Sequence, residues 1–178
     1  MSEAGSSQQP GLGRSGLAWW PLAAITLVLD QFTKHLVQAH LRLNESVTLL
    51  PVVDLVHARN YGAAFSFLDI PGGMQRWVFT GFAVVVSIVL PVFLRRLASS
   101  QRLQCAALTL IISGALGNAI DRMRFGNVVD FFAVHWGEHW FPAFNVADSC
   151  ITVGAGLLLL EALLEWRREQ RVASGKVQ

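Results

Sequence analysis

The sequence predicts an all-α polytopic membrane protein, with four transmembrane helices, a small outward β platform and a short interfacial helix near Val128 to Trp136. Three observations predict it. Only 15% of the 178 residues are charged while 53% are hydrophobic, against about 25% charge in an ordinary soluble domain, and mean hydropathy is +0.44. The missing charges leave gaps of a particular size, for Trp77 to Leu94 and Leu103 to Ile120 are each 18 residues without one. A helix of that length measures about 27 Å, close to the hydrocarbon thickness of a bilayer. Finally, net charge is only +2 and the basic residues do not cluster, which excludes a nucleic-acid module and a charge-driven disordered chain.

Taken in order, residues 1–16 are polar and rich in Gly and Ser, which predicts a disordered tail. The first span covers about 17–37, apolar through Leu29 and then interrupted by Asp30 and Lys34. Its apolar stretch runs on from Trp19 and Trp20 into a full span, so an uncleaved anchor is expected rather than a secretory signal. The second span covers about 75–94 with Pro91 near its end, and the third about 103–120. The fourth covers about 146–166, with Asp148 near its start and Glu161 near its end, and 167–178 form a second tail. Residues 17–166 thus form a single membrane domain. Eight Lys and Arg lie with the two termini and the Arg95, Arg96, Arg102 turn, against six on the opposite side. That bias puts both termini in the cytoplasm and turns 38–74 and 121–145 outward. Cys105 and Cys150 open two antiparallel spans at opposite faces, too far apart to be bridged.

The outward segments carry the chemistry. Val47 to His57 is β-branched and partly alternating, with Pro51 as a break, and reads as strand. It leads into Asn60-Tyr-Gly-Ala-Ala-Phe-Ser66, whose small residues fit a tight turn at Tyr61-Gly62 or a platform that an extended peptide can approach closely. In the third span Gly114, Gly117, Asn118 and Asp121 fall on one helical face. Small residues let a neighbouring helix come close, but Asn118 and Asp121 require a hydrated cavity or a polar contact.

Two echoing tetrapeptides follow, Asn127-Val-Val-Asp130 and Asn145-Val-Ala-Asp148. Each has the pattern of a helix start, an Asn cap with an acid in the first turn. Both Asp also border long apolar runs, and an ionisable group at a membrane boundary marks a functional site by default. Two neighbouring carboxylates cannot both stay ionised and share one proton near neutral pH. One can then take a proton from water while the other donates to a carbonyl oxygen or leaving amine, which hydrolyses an amide with no covalent intermediate. Sequence alone does not bring Asp130 and Asp148 together. Asp30 and Lys34, at i and i+4, can neutralise one another locally or support such a site. Arg122 can pair with Asp121 or hold a backbone group.

These residues fall in a familiar order: Asp30-Gln31 with Lys34, Asn60-x-Gly-Ala-Ala-Phe65, Gly114-Ala-Leu-Gly-Asn118, Asp121-Arg122, Val128-Val-Asp-Phe131 and Phe144-Asn-x-Ala-Asp148. Together they resemble the bacterial lipoprotein signal peptidases, also called signal peptidase II, over about Trp19 to Trp166. The resemblance implies an aspartic endopeptidase of the bacterial inner membrane, with its active site near the periplasmic face. It implies prolipoprotein substrates carrying diacylglycerol on a cysteine, cut on the amino side of that cysteine. Asp130 and Asp148 match the catalytic pair. Asp30, Asn60, Asn118, Arg122 and Asn145 match positions that shape and support the site. Lys34, Gly62, Ala63, Phe65, Gly114 and Asp121 belong to the same motifs and are expected to bind substrate or support it. No cofactor, metal or nucleic acid is expected, and a monomer working among membrane lipids is. Tyr61 departs from the small or polar residue more usual there, and Asn127 is a variable position in the family.

Three other constellations offer different readings. His135-Trp-Gly-Glu-His139 matches the pattern of inverted zinc peptidases, but zinc needs both His on one face of a stable helix plus a third ligand. Gly137 weakens such a helix by about 1 kcal/mol, and the neighbouring Trp136, Trp140 and Pro142 predict an interfacial loop. Ser113-Gly114 lacks both a preceding Gly at Ile111 and a His base in the last two spans. A small transporter or lipid-handling scaffold is the non-enzyme alternative, but the acids crowd one end of the spans and no inverted repeat is visible.

Overall fold

Four long helices carry the chain, α1 (Trp20–His40), α2 (Met74–Arg96), α3 (Arg102–Phe125) and α4 (Val146–Ala173). They are seen in a computed structural model that describes residues 15–62 and 74–174. α2, α3 and α4 are long and apolar enough to cross a membrane. α1 has 21 residues and turns Asp30 and Lys34 inward while Ile25, Val28 and Phe32 stay exposed. The other outer helices do the same, leaving Phe82, Val85 and Ile88 of α2 and Val153 and Leu159 of α4 on the surface. Apolar side chains facing outward fit a lipid surround, where burying them gains nothing over leaving them exposed.

α3 is the central helix, because its small residues let the others approach. Ala107, Ser113, Gly114, Ala115, Gly117 and Ala119 are all buried. A Cβ at Gly114 would collide with the Ala147 carbonyl at the start of α4, and one at Gly117 would lie 2.5 Å from Asp30 Oδ2 of α1. The stripe of small residues therefore brings α1, α3 and the first turn of α4 to one point.

The helices differ from the predicted spans at their ends. α3 continues past Ile120 to Phe125, because Asp121 and Arg122 are buried among partners rather than released to water. It stops at Gly126, whose φ of 77° gives the left-handed cap that glycine accepts without strain. α4 continues beyond 166 to Ala173, so most of the expected second tail is helix. Gly16 is likewise not tail. It opens a short 3-10 turn, Gly16–Trp19, and its N–H donates to Leu97 O at 2.8 Å. Pro91 lies inside α2 without ending it.

A four-stranded antiparallel sheet sits at one end of the bundle, in the order β1 (Ser46–Leu50), β2 (Val53–Asn60), β3 (Val128–Trp136), β4 (His139–Trp140). The segment read as strand is in fact two antiparallel strands, β1 and β2, and its break at Pro51 is the turn between them, at Pro51 and Val52. The short interfacial helix expected near Val128 to Trp136 is absent there, for those residues are β3. The reason is tertiary. Val53 to Asn60 pairs with Val128 to Val134, and a β-branched and aromatic run follows the ladder once a partner is present. Asn127 caps no helix either, since its amide donates to Phe125 O at 3.0 Å and closes the turn at Gly126. An isolated bridge between Phe132 and Phe144 then ties the approach to α4 onto β3.

Candidate active site

Asp130 and Asp148 reach the same place by two different local structures. Asp130 is on β3 opposite Ala58, and Asn60, two residues along the same face of β2, donates to its Oδ2 at 3.0 Å. Asp148 is the third residue of α4. Its Oδ2 accepts from Asn145 N–H at 3.2 Å, and its own N–H donates to Asn145 Oδ1 at 2.8 Å. This is a reciprocal capping box, so the helix-start reading holds for this tetrapeptide. The bridge at Phe132 and Phe144 brings the cap against the strand, and Asn145 Nδ2 donates to Asp130 Oδ1 at 2.7 Å. One buried asparagine therefore contacts both carboxylates.

Asn118, on α3, completes the frame. Its Nδ2 donates to Asp148 Oδ1 at 2.7 Å, while its Oδ1 accepts from Lys34 Nζ at 3.1 Å and from Asn145 Nδ2 at 3.2 Å. The amide orientation follows from its partners, because an ammonium only donates and a carboxylate only accepts. Burial pushes the Asp130 carboxyl up to about 7, and the neighbouring Asp148 charge pushes the same way. Hydrogen bonds from Asn60 and Asn145 and the charge of Lys34 oppose the shift without cancelling it.

The two open readings of the charged residues both close. Lys34 contacts Asp30 at 2.9 Å, and Asp30 also accepts from Ala147 N–H at 2.8 Å, so the local ion pair coexists with a contact to the first turn of α4. Asp121 pairs with Lys34 at 3.0 Å. Arg122 instead holds backbone, donating to Gly62 O at 3.3 Å and Asn118 O at 3.4 Å, with its guanidinium over the Phe79 ring. Gly62 is itself fixed by its N–H donating to Asn60 Oδ1 at 3.0 Å, which makes the expected turn. Ala63 and Phe65 lie outside the described residues.

A cleft of about 650 Å³ opens beside the pair. Its walls are apolar, with Phe79, Phe82 and Val86 of α2, Ala115 of α3, and Ile151 and Val153 of α4. Asn60, Asn118, Arg122 and Asp148 supply the polar lining, while Asp130 is only 2% exposed. Sequence reading missed the aromatic wall, because a charge-free span is apolar on every side and marks no face as special. It also passed over the role of Gln31, which donates to Asp30 Oδ2, Asp121 Oδ1 and Gly117 O.

The zinc reading does not survive the geometry. His135 is opposite Trp140 and Trp136 opposite His139 across the β3–β4 pair, so the two His point to opposite faces. Instead of an interfacial loop, the segment is a hairpin turning at Gly137, whose φ is 59°. Ser113 is also occupied, with its hydroxyl donating to Leu110 O and accepting from Thr26.

A bundle of membrane-length helices that ends in two aspartates, one buried and one lining a cleft, fits a membrane-embedded aspartic peptidase. The profile of the family described as signal peptidase (SPase) II matches residues 22–164, and the chain belongs to that family. It is 46% identical over 157 residues to a lipoprotein signal peptidase of Shewanella pealeana, spanning 88% of this chain and 92% of that protein. It is 45% identical over 156 residues to the lipoprotein signal peptidase of Haemophilus ducreyi, spanning 88% and 97%. A solved bacterial membrane enzyme superposes with a TM-score of 0.76 at 30% identity, covering 86% of this chain and 92% of that one. The chain is thus a multi-pass membrane enzyme that removes signal peptides from lipoproteins.

Proposed function

We propose that Asp130 and Asp148 are the catalytic pair, and that the substrates are diacylglyceryl-modified prolipoproteins cut on the amino side of the lipidated cysteine. The observation that carries this reading is the double contact of Asn145, which ties both carboxylates into one frame beside an apolar cleft. Asp130, the more deeply buried, holds the shared proton. Asp148, which lines the cleft, takes a proton from the attacking water as its oxygen bonds to the scissile carbonyl carbon. Asp130 gives its proton to the carbonyl oxygen, producing a neutral gem-diol. As the C–N bond breaks, Asp148 passes its proton to the leaving nitrogen and a diol hydroxyl returns one to Asp130. The balance closes with no covalent intermediate.

Phe79, Phe82 and Val86 fit an apolar signal peptide or acyl chain, and Asn60 and Gly62, which line the same cleft, fit an extended peptide backbone. The excess of Lys and Arg beside the termini supports an orientation in the bacterial inner membrane with both termini cytoplasmic and the pair near the periplasmic face. The protein acts as a monomer in this reading. The test is cleavage of a diacylglyceryl-modified precursor by Asp130→Asn and Asp148→Asn in membranes. Each variant should insert normally and lose cleavage by about 10⁴-fold or more. Near wild-type processing by either one rejects the pair.

A further inference from the structure

Lys34 lies at the centre of a buried relay whose arms end beside both carboxylates. Its Nζ is 2.9 Å from Asp30 Oδ2, 3.0 Å from Asp121 Oδ2 and 3.1 Å from Asn118 Oδ1. An ammonium has three donors, and these three partners use all of them. Asp30 turns its other oxygen to Ala147 N–H at 2.8 Å, the backbone group one residue ahead of Asp148. Asp121 accepts from Val129 N–H at 3.1 Å, the backbone group one residue ahead of Asp130. The third arm, Asn118, reaches Asp148 directly at 2.7 Å.

The relay is sealed, with Lys34 2%, Asp30 1% and Asp121 1% exposed. Gln31 bridges Asp30 and Asp121 with its amide, which keeps the two carboxylates at a fixed separation. A buried trio of one cation and two anions is a weak source of stability, since desolvation offsets most of the attraction. Its geometric consequence is larger. Without the lysine, Asp30 and Asp121 would repel one another, and each carries the backbone next to one member of the pair.

We infer that Lys34 is a positioning residue that sets the spacing of Asp130 and Asp148, holding the backbone ahead of each through Asp30 and Asp121. The inference rests on the catalytic pair proposed above and adds the residue that registers its two halves. The charged groups facing the trio are Asp130 from β3, Asp148 from α4 and Arg122 from α3.

The test uses the full chain in lipid or detergent with a lipidated precursor, measuring kcat, KM and pH dependence. Lys34→Met should lower kcat by about 100-fold, the scale of a misplacement near 1 Å, and leave KM within about threefold. The alkaline limb of kcat/KM should also move to higher pH, because Asp130 loses a nearby positive charge. The double variant Lys34→Met with Asp30→Asn keeps the net charge of the trio and guards against simple misfolding. It should fold and show the same low kcat. Either variant folding and retaining kcat within about threefold of wild type overturns the inference, as does a lower kcat with an unmoved alkaline limb. Failure of both variants to fold overturns it too, since Lys34 would then serve the fold and not the spacing. Cleavage by Asp130→Asn would instead reject the catalytic pair.

Discussion

Asn145 Nδ2 lies 2.7 Å from Asp130 Oδ1, so the residue that caps α4 also grips a carboxylate on β3. The cap is 0% exposed, and its backbone N–H donates to Asp148 as well. Helix start and acid pair are one structure here. Anything that moves the cap moves Asp148 relative to Asp130.

Serine and alanine at this position separate the two duties. Asn145→Ser keeps a good helix cap, whereas Asn145→Ala loses it and should be less stable than the Ser variant by about 1 kcal/mol. Neither side chain reaches Asp130, so both should lose about 100-fold or more in kcat. Thermal unfolding and precursor cleavage measured side by side check this, and a fully active Asn145→Ser would contradict it.

The pH dependence follows from Asp130, whose carboxyl burial raises to about 7. The protonated form is the active one in the proposed mechanism, so kcat/KM should fall as pH rises through about 7. Stability should follow the same sign. Between the usual carboxylate value near 3.9 and about 7 the folded state holds a proton that the unfolded state releases. This contribution is complete below the lower value and lost as pH rises through the upper one. The melting temperature should therefore fall from about pH 5 to about pH 8, and Asp130→Asn should flatten that slope.

Helix approach at Gly117 is equally testable. A Cβ there would lie 2.5 Å from Asp30 Oδ2 and 3.2 Å from Ala147 Cβ, both beside the relay. Gly117→Ala should destabilise by about 1–3 kcal/mol and reduce cleavage. Gly156 meets nothing within 4 Å, so Gly156→Ala should leave the melting temperature unchanged or slightly raised.

Arg122 should not be replaceable by lysine. Two guanidinium nitrogens reach the carbonyls of Gly62 and Asn118 while the plane covers Phe79. A single ammonium cannot reproduce that fork and stack. Arg122→Lys should lower kcat/KM by about tenfold, read from steady-state cleavage at several precursor concentrations.

The two histidines of the β3–β4 hairpin should be dispensable. Their side chains lie on opposite faces, and His135 stacks on Trp140 at 4.4 Å. The double variant His135→Ala, His139→Ala should retain cleavage within about threefold. A collapse of activity would reopen a role for that hairpin.

Much of this was legible in the residues. Charge-free runs marked α2 and α3, and the spacing of Gly114, Gly117, Asn118 and Asp121 put them on one face, where all four are buried. The capping box at Asn145 and Asp148 was readable because it is local, closing over three residues. The same pattern at Asn127 and Asp130 misled, because β3 is held by β2, and Asn60 reaches Asp130 across a separation of 70 residues. Spacing along one chain carries no record of such a partner.

Spans, boundary acids and the membrane setting were therefore determined by the sequence itself, through hydropathy and helical period acting over a few turns. Which acids meet was decided only by the tertiary structure. Hydrophobic patterning selects a face but is blind to which polar groups on different elements converge. The contacts that make a site of Asp130 and Asp148 come from five elements, α1, β2, β3, α3 and the start of α4.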